Sequence, residues 1–195
     1  MMRPLILASG SPQRKRLLRQ LGLPFRVVSP RVGEESNERN PRRLVLDLAL
    51  RKARAVSRRR PNTLILGADT IVWCGGHILL KPADRAEARR ILARLNGRWH
   101  RVYTGVALVD STTGRAWSEV AVSKVKARRL APEDLDRLAG RHMDKAGAYA
   151  VQDSGDPFIE TIQGPFDNVV GLPLASVRRL LRRVARLKRP ARAHR

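Results

Sequence analysis

The 195-residue sequence predicts an α/β fold, an extended mixed β-sheet flanked by helices with a cleft across it. Three observations carry this reading. The apolar runs at 5–8 and 63–66 are short, as in strands of a sheet buried on both faces. Later segments repeat their apolar residues at helical spacing, as Val45, Leu48, Ala49 and Val56 do. Two longer runs, 98–109 and 116–128, meet at Ser111-Thr112-Thr113-Gly114, and the partial alternation of Val120, Val122 and Val125 suggests one exposed face. With no internal repeat or long linker, one domain is expected over 1–189, followed by a basic, disordered tail at 190–195.

The first run leads through Ser9-Gly10-Ser11-Pro12 into a helix carrying Arg14 and Arg16. Ser9 and Ser11 are small hydroxyl donors, and Gly10 lets a ligand approach the backbone. Pro12 suits the first helical position, where its missing N–H is not needed. The helix start turns unpaired N–H groups and a positive dipole end towards the loop, and Arg14 or Arg16 adds a full charge, so the turn suits a phosphate. The same residues also read as a plain N-cap formed by Ser11.

A second strand is expected at 23–29, then a polar loop at 30–41 with Glu34 and Glu35. The next helix covers 41–57, and Lys52 falls in the middle of its apolar stripe. Either this lysine snorkels, or the helix delivers an ammonium into an internal anion site. The strand at 63–66 ends in Gly67-Ala68-Asp69-Thr70. Ligand crevices of open α/β sheets lie beyond the carboxyl ends of strands, which gives Asp69 an address for chemistry; a carboxylate there also serves as a turn cap.

Residues 71–73 and 77–80 form a hairpin that presents Lys81 at its exit. Asp84-Arg85-Ala86-Glu87 opens a helix as a capping box, with Ala88, Ile91, Leu92 and Leu95 inward and Asn96-Gly97 at its end. A short helix at 132–139, a loop-rich segment at 144–152, a strand at 158–162 and a terminal helix complete the chain.

Composition narrows the classes. At 43% hydrophobic residues the chain can bury one good core, or one core with a lobe attached. No apolar run has the length of a bilayer span, the first residues lack a signal-peptide pattern, and the lone Cys74 excludes an internal disulfide framework, so a cytoplasmic protein without a membrane partner is expected. His77, His100, His142 and His194 lack metal-ligand spacing and read as structural or surface residues. Lys and Arg number 40 against 17 Asp and Glu, a formal +23 that attracts polyanions. The excess is spread along the chain without aromatic interleaving, zinc spacing or a helix-turn-helix signal, so solvated faces account for it and nucleic acid is not expected as a specific partner.

Six blocks taken together resemble the Maf family of nucleotide pyrophosphatases, a family also associated with inhibition of septum formation. They are Ala8-Ser9-Gly10-Ser11-Pro12 with Arg14, Lys52-Ala53, Gly67-Ala68-Asp69-Thr70, Lys81-Pro82, Asp144-Lys145-Ala146-Gly147-Ala148-Tyr149 with Gln152, and Asn168-Val169-Val170-Gly171-Leu172-Pro173-Leu174. The resemblance covers nearly the whole chain in order. It implies a Maf/inosine triphosphatase-like fold with two lobes around a central cleft, and hydrolysis of dTTP and UTP to the monophosphate and pyrophosphate with a divalent cation, Mg²⁺ or Mn²⁺. On this resemblance Asp69 is the catalytic carboxylate and, with Glu34, a metal ligand. Ser9, Gly10, Ser11, Arg14, Lys52 and Lys81 hold the phosphates, and Gln13, Thr70 and Gln152 set specificity. A homodimer is a candidate state for such a protein.

Thr70 and Gln152 fit the dTTP and UTP class, and Gln152 offers the donor and acceptor that a uracil or thymine edge requires. Gln13 departs from it: that class usually has arginine there and the class acting on 7-methyl-GTP has tryptophan, which keeps a modified purine nucleotide as the alternative substrate. Gly33 replaces a frequent second acid, and Asp153 stands where glycine is usual. The alternative of another class is a non-enzymatic regulator of septum formation or nucleic-acid binder acting through the basic surface.

Overall fold

The computed structural model describes residues 3–153 and 156–187; the basic tail expected over 190–195 lies outside the described residues. Strand β1 (Leu5–Ala8) is buried along its length between two parallel neighbours, β2 (Phe25–Val28) and β3 (Leu64–Cys74). From β3 onward the pairing is antiparallel. β4 (His77–Leu79) returns on β3, and β5 (Trp99–Asp110), β6 (Ala116–Ala127) and β7 (Ile159–Gln163) extend the other side. The sheet order is β2-β1-β3-β5-β6-β7, with β4 beside β3, which bears out the expected mixed sheet.

Alternation along the strands divides the packing. Helix α2 (Pro41–Ser57) covers the face that carries Ile6, Ile65, Ile71 and Tyr103. Helices α1 (Pro12–Arg19) and α6 (Leu174–Leu187) set Leu17, Leu18, Val177 and Leu180 against Leu5, Leu7, Leu66 and Leu108 on the opposite face. Helix α3 (Arg85–Leu95), capped by Asp84, and α4 (Pro132–Leu138) close a further cluster around Val72, Val102, Val125 and Phe158.

Two glycines set how closely α2 lies on the sheet. A Cβ on Gly67 would stand 2.2 Å from the Ala49 carbonyl oxygen, and one on Gly105 would stand 2.3 Å from that of Val45. The helix backbone rests on bare strand backbone there, because no side chain fits between them.

The expected break after residue 66 is absent. β3 runs for 11 residues because β5 pairs with it without interruption from Leu64 to Trp73. Asp69 therefore sits inside a strand and caps no turn. On the other edge of β3, β1 pairs as far as Gly67 and the pairing with β4 starts only at Val72. Residues 68–71 lie in the gap between these two partners, beyond the carboxyl end of β1, and there a cleft opens. A short helix that the pattern did not predict, α5 (Phe166–Val170), precedes α6 and ends at Gly171, whose φ of 118° places it in the left-handed region.

Candidate active site

A cavity of about 360 Å³ opens at this gap, and Ser9, Gly10, Ser11, Gln13, Arg14, Glu34, Lys52, Thr70, Lys81 and Gln152 line it. The expected site residues are thus gathered from distant parts of the chain. Asp69 is the exception: it is buried behind Lys52 and forms no part of the wall.

The turn after β1 combines its two readings. Ser11 Oγ caps α1 by accepting from the Arg14 N–H at 3.4 Å, while Ser9 Oγ accepts from the Ser11 N–H at 3.2 Å. Of the two arginines, Arg14 faces the cavity and Arg16 does not. Arg14 Nε donates to the Gly171 carbonyl at 2.9 Å, Nη2 to Thr70 Oγ1 at 3.2 Å and Nη1 to Ser9 Oγ at 3.5 Å. Burial pulls its pKa below the ordinary value, against the opposing influence of Asp69 and Glu34. A guanidinium stays charged in a protein, so this one gains from an anion brought against it.

Lys52 does not snorkel. The close approach of α2 at Gly67 brings its Nζ to 2.5 Å from Asp69 Oδ1 and 2.6 Å from Glu34 Oε1, with the lysine side chain 6% exposed. Lys81, at the exit of the hairpin as expected, lies 3.6 Å from Glu34 Oε2 and is half exposed. Burial alone raises the Glu34 pKa, but the Lys52 hydrogen bond and the charges of Lys52, Lys81 and Arg14 outweigh it and hold the carboxyl below its usual value. Three cations face two carboxylates in this cluster, which leaves a positive surplus on the cavity wall.

The donor set fits a divalent cation that arrives with phosphate. Among the described residues no three His, Cys, Asp or Glu side chains cluster around a common point, but Asp69 and Glu34, both against Lys52 Nζ, could supply two hard oxygen ligands. Mg²⁺ typically takes one or two carboxylates and completes its shell with water and substrate phosphates.

Gln13, Thr70 and Gln152, expected to set specificity, stand around the same cavity. Gln13 Oε1 accepts from Ser11 Oγ at 3.2 Å, and Gln152 is exposed on the wall. The departures at Gly33 and Asp153 fall outside the lining. Three participants were not singled out from sequence: the Gly171 carbonyl, Thr104, and the pair of His100 and Tyr149. Tyr149 lines the cavity and its hydroxyl lies 2.8 Å from His100 Nε2. Burial lowers the His100 pKa to about 4 and raises that of the Tyr149 phenol. A polar residue inside the apolar run of β5 was the available signal for Thr104, whereas His100, beside Arg101 at the start of the strand, gave none.

Comparison with known proteins agrees with the blocks read from sequence. The family model of Maf-like proteins matches residues 4–184. The chain is 50% identical over 179 residues to the dTTP/UTP pyrophosphatase of Symbiobacterium thermophilum, covering 89% of this chain and 90% of that protein. It is 43% identical over 178 residues to the dTTP/UTP pyrophosphatase of Elusimicrobium minutum, covering 91% and 97%, and 44% identical over 187 residues to that of Dictyoglomus turgidum, covering 94% and 97%. By a match that takes in every element lining the cleft, the chain belongs to the Maf family.

Proposed function

We propose that the cleft binds a pyrimidine nucleoside triphosphate, dTTP or UTP, and hydrolyses it at the α-phosphorus to the monophosphate and pyrophosphate. The observation that carries this reading is the surplus of Arg14, Lys52 and Lys81 over Glu34 and Asp69 around one cavity at the end of β1. The names of relatives sharing 43–50% of its residues support the same substrate class. We place this activity in the cytoplasm, and among the described residues no helix is long and apolar enough to cross a membrane.

In this reading the backbone N–H groups at the start of α1, with Ser9, Gly10 and Ser11, receive phosphate oxygens. Arg14, Lys52 and Lys81 neutralise the charge that passes to the leaving pyrophosphate. An ammonium has three donors, and Lys52 gives two of them to Asp69 and Glu34. A phosphate that draws Lys52 towards the cavity frees the Asp69 carboxylate to orient a water and accept its proton. The water oxygen then bonds to the α-phosphorus while the bond to the bridging oxygen of the β-phosphate breaks and pyrophosphate departs. A divalent cation held by Asp69 and Glu34 with the substrate phosphates would supply further charge neutralisation and a lowered water pKa.

Pyrophosphate release from dTTP, UTP, CTP and 7-methyl-GTP, with Mg²⁺ or Mn²⁺, tests the reading on the wild type and Asp69→Asn. Release from dTTP and UTP that is lost in the variant is expected. A second reading rests on Gln13, which puts a neutral amide where the pyrimidine class carries arginine: preference for 7-methyl-GTP would select it. No release from any of the four would refute both.

A further inference from the structure

We propose that Thr104 and the Asn168 to Gly171 segment are the positioning elements of the phosphate site, holding the Arg14 guanidinium through a hydrogen-bond chain that can run in one direction only. The inference deepens the proposed function and rests on its reading of Arg14 as a phosphate contact.

The direction follows from counting protons. Thr104 is fully buried and its single hydroxyl proton goes to the Asn168 carbonyl at 2.9 Å, because a carbonyl can only accept. Thr104 Oγ1 also lies 3.0 Å from Thr70 Oγ1, so at that contact Thr104 is the acceptor and Thr70 the donor. Thr70 has then spent its own proton. It meets Arg14 Nη2, 3.2 Å away, as an acceptor, which is the role a guanidinium requires of its partner. Were Thr104 free to rotate its proton towards Thr70, Thr70 would keep only one lone pair for the arginine and its own proton would be free to turn.

The end of the chain is anchored in the sheet. Asn168 is fully buried, and its Nδ2 donates to the Val102 carbonyl of β5 at 3.1 Å and to Ser123 Oγ of β6 at 2.9 Å. Ser123 Oγ in turn donates to the Pro165 carbonyl at 2.9 Å. The amide cannot be reversed, since the Val102 carbonyl needs a donor. Pinned in this way, the end of α5 presents two carbonyls to the site: that of Asn168, which also accepts from the Gly171 N–H at 3.1 Å, to Thr104, and that of Gly171 to Arg14 Nε. A side chain at Gly171 would be strained by its φ of 118°, and its Cβ would stand a tight 3.3 Å from Thr70 Oγ1. Three of the five guanidinium protons are thereby fixed, on Gly171, Thr70 and Ser9, and one N–H on each terminal nitrogen remains for a phosphate. This gives the Asn168-Val169-Val170-Gly171 block a task although none of its side chains is a catalytic group.

A double-mutant cycle between Thr104→Val and Arg14→Ala tests this, with Thr104→Ser as the conservative control. Two readouts run in parallel: pyrophosphate release from dTTP, and calorimetric affinity for inorganic triphosphate, which needs no turnover. Thr104→Val should lower kcat/KM by roughly tenfold, carried by KM, and weaken inorganic triphosphate by a similar factor. Thr104→Ser should stay near wild type. In the Arg14→Ala background Thr104→Val should cost less than about twofold, since the group it positions is gone. Thr104→Ala carries the same expectation if valine prevents folding. Equal losses in both backgrounds, or no loss from Thr104→Val while Arg14→Ala is impaired, would overturn the positioning role alone. An Arg14→Ala protein with wild-type affinity for inorganic triphosphate would overturn Arg14 as a phosphate contact and the positioning role with it.

Discussion

Replacing Gly67 by alanine drives a methyl group into the backbone of α2, and the consequence for Lys52 can be worked from the structure. The new Cβ would lie 2.2 Å from the Ala49 carbonyl oxygen, 2.9 Å from the Ala53 nitrogen and 3.1 Å from the Ala53 Cβ. All three contacts belong to the helical turn that carries Lys52. Contacts under 3.0 Å are essentially never sustained, so this turn must retreat by about 0.8 Å or more. Overpacking of this kind costs about 1–3 kcal/mol. The retreat also stretches the 2.5 Å bond from Lys52 to Asp69 towards or beyond ordinary hydrogen-bond length. Misplacement of about 1 Å can lower a rate by about 10²-fold. Urea unfolding followed by circular dichroism and pyrophosphate release from dTTP measure the two effects together. Gly33→Ala is the control, since a Cβ there makes only an ordinary contact 3.6 Å from Glu35. A Gly67→Ala protein within about 0.5 kcal/mol of wild type and with unchanged kcat/KM would refute the close helix approach and its role in delivering Lys52.

Two further expectations concern charge. Lys52→Met leaves the Asp69 carboxylate buried without its partner, so stability should fall by about 3 kcal/mol and activity should be lost; an unchanged urea midpoint would show that Asp69 does not depend on the lysine. His100 titrates at about 4 when folded against an ordinary 6.5, so between these values the unfolded chain binds more protons and stability rises with pH. Its contribution is in place above about 6.5 and falls by about 3 kcal/mol as pH drops to 4. His100→Gln should flatten that part of the stability curve, and an identical acid limb in the variant would remove His100 as its cause.

Local chemistry alone placed most elements. α2 and α3 announced themselves by apolar spacing, α3 also by Asp84 at its cap, and the hairpin of β3 and β4 by its two short runs. These signals act over a few residues, so they survive without knowledge of the fold. The ordered blocks from Ala8 to Leu174 likewise carried the family, and ten of the eleven expected site residues line one cavity.

Tertiary structure decided what depends on a partner distant in sequence. The continuity of β3 through Asp69 comes from its ladder with β5, some 35 residues away, and the cleft is a gap between two strands that pair on its other edge. Lys52 was ambiguous because snorkelling and burial share one helical pattern; the bare backbone of Gly67 and Gly105 against α2 resolved it by bringing the ammonium to Asp69 and Glu34. The choice of Arg14 over Arg16, the position of Asp69 behind the cavity wall, and the chain from Arg14 through Thr70 and Thr104 to Asn168 all rest on distances across the sheet. Sequence by itself determined which groups this protein has and the family they mark. Only packing decided which of them face the phosphate site, because hydrogen bonds and ion pairs form between atoms brought together in space and leave no period along the chain.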